Sequence, residues 1–291
     1  MDIRRVQRSG NMYYVYLPTS WCRKLKIAPN ANLCISENSD HSLSISTTAR
    51  ETKPKVVNLT LPSEYDDILI NLIIACYVNP LHSFRIETEK TADLNHLLSQ
   101  KSVISGLEFV ELDGETITYE ASMTINKPDS LLKTMFKKTR NLLTIMIHNY
   151  DKVLINKFED EIDKSKILIQ KSVIGALLLN TPMNLKYIEM YYIAQIAVDL
   201  ERLVDYMIRL DKREKKFLND CLLLVESLKD LIENIPNLDY LKAASFTKNV
   251  IQMKGYKSDS LKNFDKQKIK KHFQNIAELI LDWSISKKIE D

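Results

Sequence analysis

The chain has 291 residues, 45% apolar and 27% charged, with a net charge of only +3. That length fits two or three domains. Five glycines, with no P-loop, no Rossmann fingerprint and no G-x-S-x-G, argue against a Gly-looped nucleotide enzyme.

The first 27 residues, MDIRRVQRSGNMYYVYLPTSWCRKLKI, hold six Lys or Arg against one acid, Asp2. Arg4, Arg5, Arg8, Arg23, Lys24 and Lys26 thus gather positive charge on one small unit in a nearly neutral chain, the footprint of a phosphate holder. A basic strand punctuated by Gly10 precedes an alternating strand, Met12–Leu17. Thr19 or Ser20 is placed to cap a short helix over Trp21–Leu25. Leu33–Glu37 and Ser42–Ser46 alternate polar and apolar residues across an Asn38–His41 turn and read as a hairpin. Residues 49–55 form a charged linker.

Residues 56–126 read as a small α+β unit. Val56–Leu61 is an expected strand, Glu64–Val78 an apolar helix, Ser83–Glu87 a strand and Ala92–Lys101 a helix. Leu107–Leu112 and Thr116–Ala121 pair across Asp113-Gly114-Glu115. From Lys127 the pattern is helical throughout. The expected helices are Ser130–Tyr150, Lys152–Leu179, Asn184–Asp211, Lys212–Asn234, Leu238–Met253 and Asp265–Lys287, with breaks at Thr181-Pro182 and Ile235-Pro236. Three helices and three more fit two consecutive three-helix bundles, consistent with an old duplication.

The cysteines Cys22, Cys34, Cys76 and Cys221 have no CxxC spacing and read as thiols of a reducing compartment. His41, His82, His96, His148 and His272 form no sequence cluster, which argues against a His-rich zinc site. No apolar h-region follows the first basic residues. The longest apolar run, Ile68–Val78, is shorter than the ~20 residues a bilayer span requires. A soluble cytoplasmic protein without membrane insertion is expected.

Two acidic stretches stand out in the helices. Glu159-Asp160-Glu161-Ile162-Asp163 and Glu201-Arg202-Leu203-Val204-Asp205 each put carboxylates at i and i+4. That spacing leaves them about 40° apart on one helix face. Packed together, Glu159, Asp163, Glu201 and Asp205 would converge four hard oxygen ligands, unfavourable unless a cation neutralises them. The competing reading is an ordinary charged face paired with Lys and Arg. Likewise, the basic N-terminal run is either a phosphate-facing surface or a solvated strand face on a dimerisation module.

Two resemblances bear on these alternatives. Arg4-Arg5-Val6-Gln7-Arg8-Ser9-Gly10, Tyr14-Val15-Tyr16-Leu17-Pro18-Thr19-Ser20-Trp21 and Ser42-Leu43-Ser44-Ile45 resemble the swapped-hairpin DNA-binding domains of the SpoVT/AbrB group. Two chains of that group interleave into one small barrel with basic side chains toward the duplex. The resemblance implies a homodimer through residues 1–48 and DNA contacts from Arg4, Arg5, Arg8, Arg23 and Lys24. Leu200-Glu201-Arg202-Leu203-Val204-Asp205 and the helix before it look like the PhoU family of phosphate-response regulators, whose repeated Glu/Asp-x-x-x-Asp motifs hold multinuclear metal clusters. The resemblance covers 127–291 and implies a metal ion cluster of iron, manganese or magnesium on Glu159, Asp163, Glu201 and Asp205. Family members commonly continue Glu-Arg-Ile-Gly-Asp-His; here Val204 replaces the Gly and Tyr206 the His. Glu278 and Asp282 repeat the spacing on the sixth helix, almost opposite its apolar stripe, and the fifth helix has no acidic pair. An AbrB-like start, a small α+β middle and a PhoU-like end is a familiar archaeal arrangement.

The implied fold class is an α+β N-terminal part, a swapped-hairpin β module plus a small α+β unit, followed by an all-α PhoU-like pair of three-helix bundles. The implied function is regulation of phosphate uptake or phosphate-responsive transcription. The alternative is an adaptor that engages a phosphate transporter, a kinase or another signalling protein without touching DNA. No nucleophile constellation accompanies the acids, so an enzyme of metal-assisted hydrolysis is not expected.

Overall fold

The computed structural model describes residues 3–37, 42–47, 56–81, 83–91, 104, 107–112, 116–121, 127–179 and 185–290. The chain divides into two units, Met1–Lys53 and Pro54–Asp291. The expected helix Ala92–Lys101, the turns Asn38–His41 and Asp113–Glu115, the linker 49–55 and the break at Thr181-Pro182 lie outside the described residues.

The first unit is two small antiparallel hairpins and one helix. Strand β1 (Gln7–Ser9) pairs with β2 (Met12–Tyr14), Ser9 opposite Met12. The two-residue turn between them holds Gly10 at φ 61°, a left-handed conformation that glycine takes without a Cβ penalty. The strand expected over Met12–Leu17 therefore ends at Tyr14. Helix α1 (Thr19–Lys24) starts after Pro18, and neither Thr19 nor Ser20 caps it. It closes in a Schellman motif: Ile27 N–H donates to the Cys22 carbonyl, Lys26 N–H donates to the Arg23 carbonyl, and Lys26 sits at φ 52°. Strand β3 (Cys34–Glu37) pairs with β4 (Leu43–Ser46), Ile35 opposite Ile45.

The second unit opens with a four-stranded mixed sheet, order β5-β6-β8-β7: β5 (Val56–Leu61), β6 (Ser83–Thr88), β7 (Leu107–Leu112) and β8 (Thr116–Ala121). The parallel pair β5–β6 needs a crossover, supplied by a 3-10 turn over Ser63–Ile68 and helix α2 (Leu69–Val78). The helix expected from Glu64 is thus broken: Tyr65 sits at φ −114°, ψ 16°, outside helical space. Phe84, Ile86 and Ile117 are fully buried and share a core with Leu61, Ile73 and Tyr77.

Six helices follow: α3 (Pro128–His148), α4 (Lys152–Leu179), α5 (Tyr187–Met207), α6 (Lys215–Glu233), α7 (Tyr240–Gln252) and α8 (Leu261–Glu290). The region is mostly helical, as the periodicity predicts. Pro128 occupies the first turn of α3, where its missing N–H costs nothing. The expected stripes are buried: Leu132, Met135, Phe136, Leu142, Leu143 and Met146 on α3, and Ile269, Phe273, Ile276 and Ile280 on α8. Tyr150, at the end of the expected helix Ser130–Tyr150, falls beyond α3 and is exposed, and Ile188 is exposed in the first turn of α5. One hydrophobic cluster runs through all six helices. Helix α3 packs on α4 and α6, and α5 packs on α4 and α8, so the halves are joined along their length. Helix α4 also seats α2: Ile167 joins the core that α2 shares with the sheet, and the Lys171 ammonium lies 3.7 Å from the Tyr77 ring centre. Among the described residues no helix is long and apolar enough to cross a membrane.

Candidate functional site

The N-terminal unit presents its basic side chains openly. Arg4, Arg5, Arg8, Arg23 and Lys24 are all exposed. The Arg8 guanidinium is steered by its own hairpin: Nε donates to the Gly10 carbonyl at 2.9 Å, and the group lies 5.6 Å from the Tyr13 ring centre. Arg23 and Lys24 sit in the last turn of α1, where positive charge complements the helix dipole. None of the described residues of this unit is buried. Val6, Met12, Tyr13, Tyr16, Ile35 and Leu43 are each more than 60% exposed.

The acidic motifs face one another across the α4–α5 packing. Asp163 on α4 and Glu201 and Asp205 on α5 each offer a carboxylate oxygen, and these atoms lie within 4.8 Å of one another. Glu159, one turn before Asp163, is half-buried nearby but not part of the close group; the charges of Asp205 and Glu201 still reach it. Burial and then the Glu201, Glu159 and Asp205 charges push the Asp163 carboxyl up to about 7. Asp205 is raised by burial and Glu201, and Glu159 by burial and Asp160. Each of these is the expected response of carboxylates crowded out of water.

Glu161, on the neighbouring face of α4, behaves oppositely. Lys164 and Lys138 donate to its carboxylate at 2.6 and 3.0 Å and hold it below the usual range. It is an ordinary paired acid that ties α4 to α3. The triad, by contrast, has among the described residues one cation in contact, Lys166, whose Nζ lies 2.9 Å from Glu201 Oε1. Asp163 Oδ1 is buried without any hydrogen-bond partner. A buried, unpartnered oxygen on one of three crowded carboxylates fits a hard, oxygen-preferring cation, and the donor set suits magnesium, manganese or iron. The arrangement can therefore hold a metal. Glu278 and Asp282 on α8 are exposed, and no comparable triad forms among the described residues of the second half.

Sequence reasoning passed over two groups beside the triad. Lys166 lies three residues after Asp163, but its ion pair is with Glu201 on the next helix, a partner that linear spacing does not point to. The other is a cluster between α5 and α8: Asp199 Oδ1 meets His272 Nδ1 at 2.8 Å and accepts Asn275 Nδ2–H at 3.0 Å. The Tyr206 ring stacks on His272, centroids 5.8 Å apart. Nothing in linear spacing joins residues 199 and 272.

Comparison with protein-family models, with curated proteins and with solved structures finds no match.

Proposed function

We propose that the chain is a regulator whose N-terminal module, paired with that of a second copy, holds DNA, while its helical part reports a bound metal or a signalling partner. The resemblances to the SpoVT/AbrB group and to PhoU make phosphate uptake, or transcription that responds to phosphate, the process it would regulate. The supporting observation is the N-terminal unit itself: five exposed basic side chains on a fold in which none of the described residues is buried. A unit this small buries too little alone, and a second copy supplies cover for its apolar side chains while doubling its arginines. Arginine suits the task because its fork matches phosphate oxygens. In the helical part, Asp163, Glu201 and Asp205 would hold the metal, with Glu159 adding negative charge; the metal would supply the charge that stabilises the crowded carboxylates. No catalytic role belongs to this reading.

The test is a selection of duplexes from a random pool, followed by anisotropy titrations over a range of salt. Binding should weaken linearly in log–log form as salt rises. The triple change Arg4→Ala, Arg5→Ala, Arg8→Ala should lower that slope by about three per chain. Failure to select any duplex would favour the adaptor of a transporter or kinase, for which the exposed tyrosines of β2 and the residues after it offer a protein-binding face.

A further inference from the structure

We propose that Lys166 is a built-in counter-cation of the acid site, seated on Glu201 in the absence of metal and expelled when a divalent cation enters. The inference rests on the reading of Asp163, Glu201 and Asp205 as a metal site. The Lys166 ammonium sits 2.9 Å from Glu201 Oε1, and its side chain is about three-quarters buried, at 24% exposure. Its field also acts on Asp163 and Asp205, so it stands within reach of the whole triad. It is an incomplete occupant, because Asp163 Oδ1 remains without a partner.

A divalent ion brings twice the charge and draws oxygens to about 2.0–2.6 Å. An ammonium and a divalent ion would claim the same Glu201 oxygen, and like charges repel most where water is scarce. Lys166 is tethered to the helix that carries Asp163, so only its flexible side chain can leave. Metal entry and the Lys166–Glu201 pair are therefore mutually exclusive. The tether lowers the apparent affinity of the site by a constant factor, and occupancy is announced by an ammonium released at the surface of α4.

Isothermal titration of the full chain with Mn²⁺ tests this. Lys166→Gln should bind Mn²⁺ at least about tenfold more tightly than the wild type, roughly the worth of one half-buried ion pair. Its metal-free form should melt lower, and Asp163→Asn should abolish binding in either background. Equal affinities with and without Lys166 would overturn the inference while leaving the metal site standing. Absence of Mn²⁺ binding from both proteins would overturn the site reading and the inference together. Should Lys166→Gln fail to fold, amine acylation of the wild type read by peptide mass spectrometry decides: Lys166 should label faster in saturating Mn²⁺, and unchanged labelling with Mn²⁺ bound would refute its expulsion.

Discussion

The N-terminal hairpins and the helical region spend similar side chains differently. In the helices, Phe136, Phe273 and Trp283 are removed from water completely, and one apolar cluster links all six elements. In the hairpins, Met12, Tyr13, Tyr16, Ile35 and Leu43 remain in solvent. Strands of three or four residues in two-stranded ribbons cannot cover their own faces. A helix of 20 to 30 residues can, because its stripe meets several neighbours at once. The contrast teaches that the helical part covers its own apolar side chains, whereas the described residues of the hairpin unit leave theirs open to solvent.

Predictions that break or sharpen this contrast follow in order of size. Phe273→Ala empties a fully buried position and should cost about 3–5 kcal/mol, seen as a large fall in the main calorimetric transition. Tyr16→Ala should leave that transition within about 0.5 kcal/mol. Next, Ile35→Asp with Leu43→Asp should weaken self-association by at least about 2 kcal/mol, turning a dimer into a monomer in light scattering while the main transition stays put. An unchanged mass would mean that these strands do not form the dimer interface.

A third pair separates two acids of one helix. Asp163 is raised in the folded protein to about 7. The folded state then binds more protons than the unfolded state between about 4 and 7, so this group's contribution falls as pH rises through that window. Asp163→Asn should therefore stabilise the metal-free protein at pH 8 by about 1–2 kcal/mol after solvent screening, with the gain fading toward pH 4. Glu161 is lowered, so its contribution is present at neutral pH and lost as pH falls through its folded value. Glu161→Gln should cost about 0.5–1 kcal/mol at pH 7 and nothing in strong acid. Denaturant melts across pH check both signs. The last effect is local: Gly10→Ala meets no atom within 4 Å, so its cost is the left-handed backbone alone, about 1 kcal/mol, read from the hairpin's amide exchange.

Sequence periodicity located the helices because their cores are continuous stripes. Helix α4 begins and ends where the pattern predicts, at Lys152 and Leu179. It failed where partners, not propensity, decide. Residues after Tyr14 alternate like a strand yet have no neighbouring strand among the described residues to complete a ladder. Ile188 and Tyr150 continue their stripes beyond the last turn that a facing helix covers. The i,i+4 acids were legible because both members sit on one helix face. The meeting of Asp163 with Glu201 needed only antiparallel neighbours. Lys166 as the contact cation, and the Asp199–His272 pair, needed side-chain directions that linear spacing does not carry.

Helix α4 has two bearings. Asp163 faces the acids of α5, and Ile167, one turn later, joins the core that α2 shares with the mixed sheet, with Lys171 resting on Tyr77 a turn beyond. A helix this long behaves as a stiff shaft, and a turn advances only about 5.4 Å. Any rotation that draws Asp163 toward Glu201 must swing Ile167 and Lys171 through the same angle. The seat of α2 and the carboxylates therefore lie on one stiff helix, about two turns apart.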